Sequence, residues 1–375
     1  LPLEIPTLAK ALGGAGYQTA YCGKWHLASN RNGDHYEITA IPPERRGGYK
    51  DWWIASDVLE FTSHGYGGYM HDADGNKFEF DGYRPDAVTD AALAFLEEGR
   101  DPEKPFLLFL SHIEPHHQND RDCYEGPIGS RERFGDYETP GDLEGTGGDW
   151  RANYPDYLGC CNRLDWNLGR LLDKLEALGI AEDTLVVYTS DHGSHFCTRN
   201  REYKRSCHDG CIHIPMVLRG PGFEGGRVDE RMVSLMDLPK TLMTAAGLPP
   251  LPEMAGNALQ GASEGPEDVY LQISESHCGR ALRTKRWKYA VGAPGATGQD
   301  AQADEYVECY LYDLAQDPHE RTNLVDDPAL APVRETLRGR MLGHMASAGE
   351  APAVIRPFTE ADRAYLQKIS MPRAF

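Results

Sequence analysis

Gln18-Thr19-Ala20-Tyr21-Cys22-Gly23-Lys24-Trp25-His26 and Thr184-Leu185-Val186-Val187-Tyr188-Thr189-Ser190-Asp191-His192-Gly193 are built alike. Each is a short apolar run of strand length, followed at once by charged or ligand-type side chains. In open α/β sheets, ligands bind beyond the carboxyl ends of the strands. The two blocks therefore predict that Lys24, His26, Asp191 and His192, far apart in sequence, meet at one edge of one sheet. A third block, Pro105-Phe106-Leu107-Leu108-Phe109-Leu110, repeats the pattern and runs into Ser111-His112-Ile113-Glu114-Pro115-His116-His117-Gln118-Asn119.

Between these blocks the chain reads as alternating helix and strand. A short helix precedes the first block, with Leu8 and Leu12 at helical spacing and Gly13-Gly14 as its stop. Asp86–Glu98 predicts a helix with Val88, Ala92, Leu93, Phe95 and Leu96 on one side. Asp156–Gly179 gives the clearest helix, with Leu164, Leu168, Leu171, Leu172, Leu175 and Leu178 in one stripe. Asp237 is expected to cap a helix from Pro239 to Gly247. Residues 27–80 show little long periodicity, and residues 117–155 read as a long polar loop facing substrate. This alternation predicts an α/β fold with a doubly wound, mostly parallel sheet sandwiched by helices, over residues 1–250. After a Pro/Gly-rich break at 248–267, four strand-like runs and one helix predict a small antiparallel C-terminal subdomain over 251–375.

Composition narrows the function. A chain of 375 residues with 40% apolar content can bury a sizeable core, and its net charge of −20 argues against a nucleic-acid partner. No run approaches the length of a membrane helix, so no membrane partner is expected. The nine cysteines follow no disulfide spacing and form no C-x-x-C pair, which leans towards reduced thiols and a cytoplasmic setting.

The three blocks, in this order, resemble the sulfatase family of the alkaline-phosphatase superfamily. Further matches are Lys204 ahead of Ile214-Pro215 and Gly220-Pro221-Gly222, the segment Asp237-Leu238-Pro239-Lys240-Thr241-Leu242, and Leu311-Tyr312-Asp313-Leu314 with Asp317-Pro318 and Asn323-Leu324. The resemblance spans nearly the whole chain. It implies metal-dependent hydrolysis of a sulfate ester, carried on a saccharide or an aryl group. Such sulfatases also carry paired metal-binding aspartates and a Cys- or Ser-x-Pro-x-Arg signature whose Cys or Ser becomes formylglycine, the nucleophile. Neither is found in these 375 residues, and Ser370-Met371-Pro372-Arg373 has its arginine one position early. The expectation is an N-terminally incomplete sequence whose full-length form is served by a formylglycine-generating enzyme. With the first strand missing, poor stability is expected.

The resemblance assigns roles by position. Lys24 and Lys204 would hold sulfate oxygens as point charges. His116 would protonate the departing alcohol, and His26 would act as the base that releases sulfate. Asp191 and His192 would ligate a divalent cation, Ca²⁺ first, with Mg²⁺ or Mn²⁺ as alternatives. Outside those matches, His117 and Asn119, which depart from the commonest family pattern, and His277 and Arg280 of the C-terminal subdomain are expected to contact the substrate, with pairing to nearby carboxylates as the alternative for His277 and Arg280. Plainer readings stand beside these: Asp191 as a turn cap after a strand, Lys24 as a surface charge, and the His112, His116 and His117 group as a metal-chelating tract. Two other functions remain open, a phosphonate or phosphate ester hydrolase on the same fold and a nucleophile-free protein that binds sulfate esters.

Overall fold

The computed structural model describes residues 1–28, 33–261 and 264–373. It opens with helix α1 (Leu8–Gly14) and strand β1 (Gln18–Lys24), whose five central residues are all buried. Burial on both faces marks a strand inside a covered sheet, and β1 pairs in parallel with β2 (Trp52–Ser56) on one side and β5 (Phe106–Ser111) on the other. Helix α2 (Leu59–Thr62) follows β2. An antiparallel hairpin, β3 (Tyr66–His71) and β4 (Lys77–Tyr83), then extends the sheet to the order β4-β3-β2-β1-β5.

Successive side chains of β1 point to opposite faces, and each face has its own cover. On one face Tyr21 packs with Trp25, Trp53, Leu107 and Ala9 of α1. On the other, Ala20 and Cys22 meet α3 (Arg84–Ala94) and α5 (Trp150–Ala177), through Val88, Ala91, Phe95, Leu171 and Leu175. The predicted helix at Asp86–Glu98 thus starts two residues earlier, at Arg84-Pro85, where a proline in the first turn gives up no helical bond. The helix predicted from Asp156 begins at Trp150 and runs through Pro155. The stretch expected to be one long loop also contains α4 (Ser130–Phe134), packed against α5.

The second block departs from the expectation of one shared sheet. β6 (Val186–Thr189) pairs antiparallel with β7 (Met216–Arg219) as a separate two-stranded sheet. Among the described residues, β5 hydrogen-bonds only to β1, and its outer residue Phe109 is 47% exposed. What joins β6 to the main layer is packing: Val186 shares an apolar cluster with Phe106, Leu108, Leu171 and Leu175. α6 (Asp209–Ile212) lies between β6 and β7 in sequence, and α7 (Leu238–Ala245) follows. The expected cap of α7 differs in detail: Asp237 accepts from the Ser234 and Asn257 amides and closes a capping box on the turn before the helix.

The C-terminal subdomain has five strands, in the order β12-β11-β10-β9-β8. They are β8 (Asp268–Ile273), β9 (Gly279–Thr284), β10 (Trp287–Gly292), β11 (Glu305–Asp313) and β12 (Val354–Arg356). All neighbours are antiparallel except β11 and β12. Two helices, α8 (Ala331–Ser347) and α9 (Arg363–Ser370), pack on it where one was expected, with Leu337 and Met341 of α8 on Leu282, Tyr289 and Leu311. A buried ammonium fastens this sheet to the larger part. Lys288 Nζ donates to the Cys207 carbonyl at 2.7 Å, Asp209 Oδ1 at 2.6 Å and Glu320 Oε1 at 2.7 Å. All three of its protons are thereby placed. All nine cysteines are free thiols.

Candidate active site

The site forms where β1, β5 and β6 end. Gly23 sits at φ +107°, and a Cβ there would lie 2.0 Å from the Ser111 carbonyl oxygen. Only glycine lets the ends of β1 and β5 approach this closely. Lys24 follows on the strand, and His26, at φ +51°, turns out of it with its amide held by the Asp57 carbonyl at 2.8 Å. Gly193 does similar work after β6. A Cβ there would meet the Gly210 carbonyl oxygen at 2.2 Å, and its amide donates to the Cys211 carbonyl at 2.8 Å. This contact seats Asp191-His192 beside the segment that carries Lys204.

Three hydrogen-bonded pairs then bring distant residues together. Lys24 Nζ lies 3.1 and 3.2 Å from the two carboxylate oxygens of Glu60, a buried residue of α2. Lys204 Nζ lies 3.0 Å from His192 Nε2. Tyr203 Oη lies 2.9 Å from His116 Nε2. Mutual electrostatic influence ties the pairs into one cluster: both Lys24 and Lys204 act on His26, His116 and His192. So the structure gathers Lys24, His26, His116, Asp191, His192 and Lys204 of the sequence-predicted set.

Protonation follows from partners. His116 Nδ1 faces the His117 carbonyl at 2.6 Å, an acceptor only, so Nδ1 carries the hydrogen. Nε2 is then the acceptor and the Tyr203 hydroxyl the donor. Burial, followed by the two lysines, pushes His116 down to about 2, so the free imidazole is neutral. His192 Nδ1 faces the Gly193 carbonyl at 2.9 Å, which leaves Nε2 to accept from Lys204. Burial also lowers His26, His192 and the Lys204 ammonium. The geometry offers two ammonium groups for an anion and, at His116, a neutral imidazole whose Nε2 accepts a hydrogen bond from the Tyr203 hydroxyl.

The frame behind His116 is a buried ion pair. Arg84 Nε donates to Glu114 Oε1 at 2.8 Å, and its Nη1 reaches the Ser63 carbonyl at 3.1 Å and Gln118 Oε1 at 3.4 Å. Gln118 Nε2 in turn donates to the Glu60 carbonyl at 3.1 Å. The sequence reading assigned no role to Glu60, Arg84, Glu114 or Tyr203. Tyr203, adjacent to Lys204, and Glu114, two residues before His116, carried a positional signal.

The four residues expected to touch substrate are placed differently. His117 is buried, stacked on the Tyr203 ring at 5.2 Å, with Nε2 3.4 Å from Asp122. Asn119 is exposed, with its Oδ1 3.3 Å from His117 Nδ1. His277 is buried behind the Lys204 segment, where its neighbour Ser276 donates to the Arg205 carbonyl at 2.9 Å. Arg280 is not brought to the site. Its guanidinium is buried in the C-terminal subdomain on Glu350, at 2.8 and 2.9 Å, and on the Ala301 carbonyl at 2.7 Å.

A cation would draw on Asp191 and His192. The Asp191 side chain is 81% exposed, and the His192 Nε2 lone pair already accepts from Lys204. Among the described residues no cluster of three or more His, Cys, Asp or Glu side chains is placed to hold an ion. Hard cations take six to eight oxygens. These residues do not make a cation site by themselves.

Residues 1–248 match the Sulfatase family model, and residues 201–347 match a second, the C-terminal region of N-sulphoglucosamine sulphohydrolase. The chain belongs to the sulfatase family. It is a sulfuric ester hydrolase by that membership. An ulvan-active sulfatase of Formosa agariphila is 26% identical over 93% of this chain and 68% of its own length. A Bacteroides fragilis sulfatase, yidJ, superposes with a TM-score of 0.76 at 22% identity, over 93% of this chain and 79% of that one. A second structure, in complex with its substrate D-glucosamine-2-N,6-O-disulfate, superposes with a TM-score of 0.64 at 22% identity, over 92% of this chain and 82% of that one. The superpositions bear out an α/β core with a separate C-terminal sheet.

Proposed function

We propose that the intact protein removes sulfate from a saccharide or aryl sulfate ester, with a formylglycine nucleophile supplied from outside these 375 residues. The observation that carries this reading is the convergence of Lys24, Lys204 and the His116–Tyr203 pair beyond the ends of β1 and β5. The two ammonium groups bind and orient the sulfate oxygens. The His116–Tyr203 pair stands ready to supply the proton that the leaving oxygen requires. His26, exposed at the rim, takes up a proton as sulfate departs. Asp191 and His192 are this chain's share of a divalent-cation site, Ca²⁺ by preference, and such an ion would polarise the sulfate ester. A saccharide sulfate is favoured by the structural neighbour solved with a disulfated glucosamine.

The test is turnover by the full-length protein. Release of 4-nitrophenol from its sulfate ester, lost on chelation and in Lys204→Ala and Asp191→Asn, supports the reading. Faster turnover of a phosphonate or phosphate ester makes it a phosphoryl hydrolase instead. Tight binding of sulfate esters without turnover makes it a binding protein.

A further inference from the structure

An anion pocket does not need a carboxylate inside it, and this one has Glu60. The Glu60 side chain is 6% exposed, with both oxygens on Lys24 Nζ at 3.1 and 3.2 Å. Its Oε2 has no hydrogen-bond donor in geometry. The short helix that carries it is fixed through its backbone carbonyl by Gln118, which Arg84 holds in turn. Its charge also reaches His26, Tyr203 and Lys204, so it acts on the whole pocket and not on one neighbour. Glu60 is thus a buried carboxylate placed to act on whatever the two ammonium groups bind.

A carboxylate so placed discriminates between ligands by their charge. A sulfate monoester carries one negative charge and a phosphate monoester at pH 8 carries two, although the two groups are close in shape. We infer that Glu60 is a charge filter, which lets the pocket hold singly charged esters and disfavours doubly charged ones. The inference rests on the sulfate-ester reading of this site and deepens it. An ester oxygen bonded to the far side of the Lys24 ammonium would lie roughly 6 Å from the Glu60 carboxylate. One further negative charge at that distance, at an effective dielectric of about 20 to 40, weakens binding by about ten- to a hundredfold. Neutralising Glu60 relieves one unit of repulsion for a monoanion and two for a dianion. The ratio of affinities therefore moves by that factor even if all affinities change.

Dissociation constants of the full-length protein at pH 8 and low salt test this. The probes are 4-nitrophenyl sulfate, 4-nitrophenyl phosphate and 4-nitrophenyl phenylphosphonate, the last a phosphorus ester with a single charge. Glu60→Gln is expected to shift the phosphate-to-sulfate preference at least tenfold towards phosphate, and to leave the phosphonate-to-sulfate ratio within about twofold. Glu60→Asp keeps the charge and should keep the wild-type ratios. A merely displaced Lys24 would weaken the dianion more than the monoanion, the opposite direction. An unchanged phosphate-to-sulfate ratio in Glu60→Gln overturns the inference, as does a phosphonate that moves with the phosphate. Indifference of sulfate-ester binding to Lys24→Ala and Lys204→Ala would instead remove the site reading on which it stands.

Discussion

Replacing Arg84 by methionine is the sharpest test of the frame behind the site. Arg84 and Glu114 are 1% and 6% exposed, and their side chains pair at 2.8 Å. Methionine keeps much of the volume and removes the charge. It strands the Glu114 carboxylate, whose Oε2 already has no hydrogen-bond partner, in a buried setting where burial pushes its pKa up. Breaking a buried pair from one side costs about 3–5 kcal/mol, more than the pair itself is worth, because the surviving charge is uncompensated. Loss of the Nη1 bonds to Ser63 and Gln118 belongs to the same change. Urea unfolding at pH 7 should show the midpoint fall with the slope unchanged. The cycle completes the argument: adding Glu114→Gln to Arg84→Met removes the stranded charge and should recover at least 1 kcal/mol. A destabilisation below about 1 kcal/mol in Arg84→Met, or no recovery in the double variant, would show that this pair is not the mainstay assumed here.

Acid should weaken the fold through its buried histidines. Burial lowers His112 to about 4, His195 to about 3 and His277 to about 4, whereas each returns to about 6.5 on unfolding. Their contribution is fully present above pH 6.5 and is lost as the pH falls towards the folded values, at about 1.4 kcal/mol per pH unit for each proton. Unfolding at pH 7, 6 and 5 should show this slope, and His112→Asn should flatten it by about one proton; an unaltered slope would exclude His112 as a contributor. Tyr203→Phe keeps the ring on His117 and removes the hydroxyl that serves His116 Nε2. On a sugar sulfate, whose leaving alcohol needs a proton, kcat is expected to fall about tenfold or more with KM little changed; an unchanged kcat and pH profile would reduce Tyr203 to packing.

The parts legible in the sequence are those with strong local pattern. The apolar runs at β1 and β5, the leucine stripe of α5 and the strand succession of the C-terminal sheet each announce themselves. The hairpin β3–β4 did not, because its alternation is broken by a register shift between Tyr66 and Gly68, although the turn residues Asp74-Gly75 were a usable signal. The start of α5 was hidden by Pro155, which reads as a stop but is carried within the helix. Lys24, His116 and Asp191 were legible because each lies at or just after a strand-like run, and Lys204 because it precedes Ile214-Pro215 in the family pattern. Glu60 and Arg84 were not, since their partners lie 36 and 30 residues away and no spacing rule links them. Arg280 misled for a related reason: a lone arginine near a histidine says nothing of a carboxylate 70 residues on.

The buried Lys288 has an effect that reaches beyond anchorage. It grips the Cys207 carbonyl and Asp209, three and five residues after Lys204, while Ser276 grips Arg205. A cation of the pocket is thus held in place from the C-terminal sheet, and the two family matches overlap over 201–248, the stretch that includes it. Thermodynamic reciprocity then applies. To the extent that docking of the C-terminal sheet sets the position of Lys204 for its ligand, the ligand stabilises that docking by the same amount. A boundary drawn at residue 250 divides the chain; the free energy of substrate binding is shared across it.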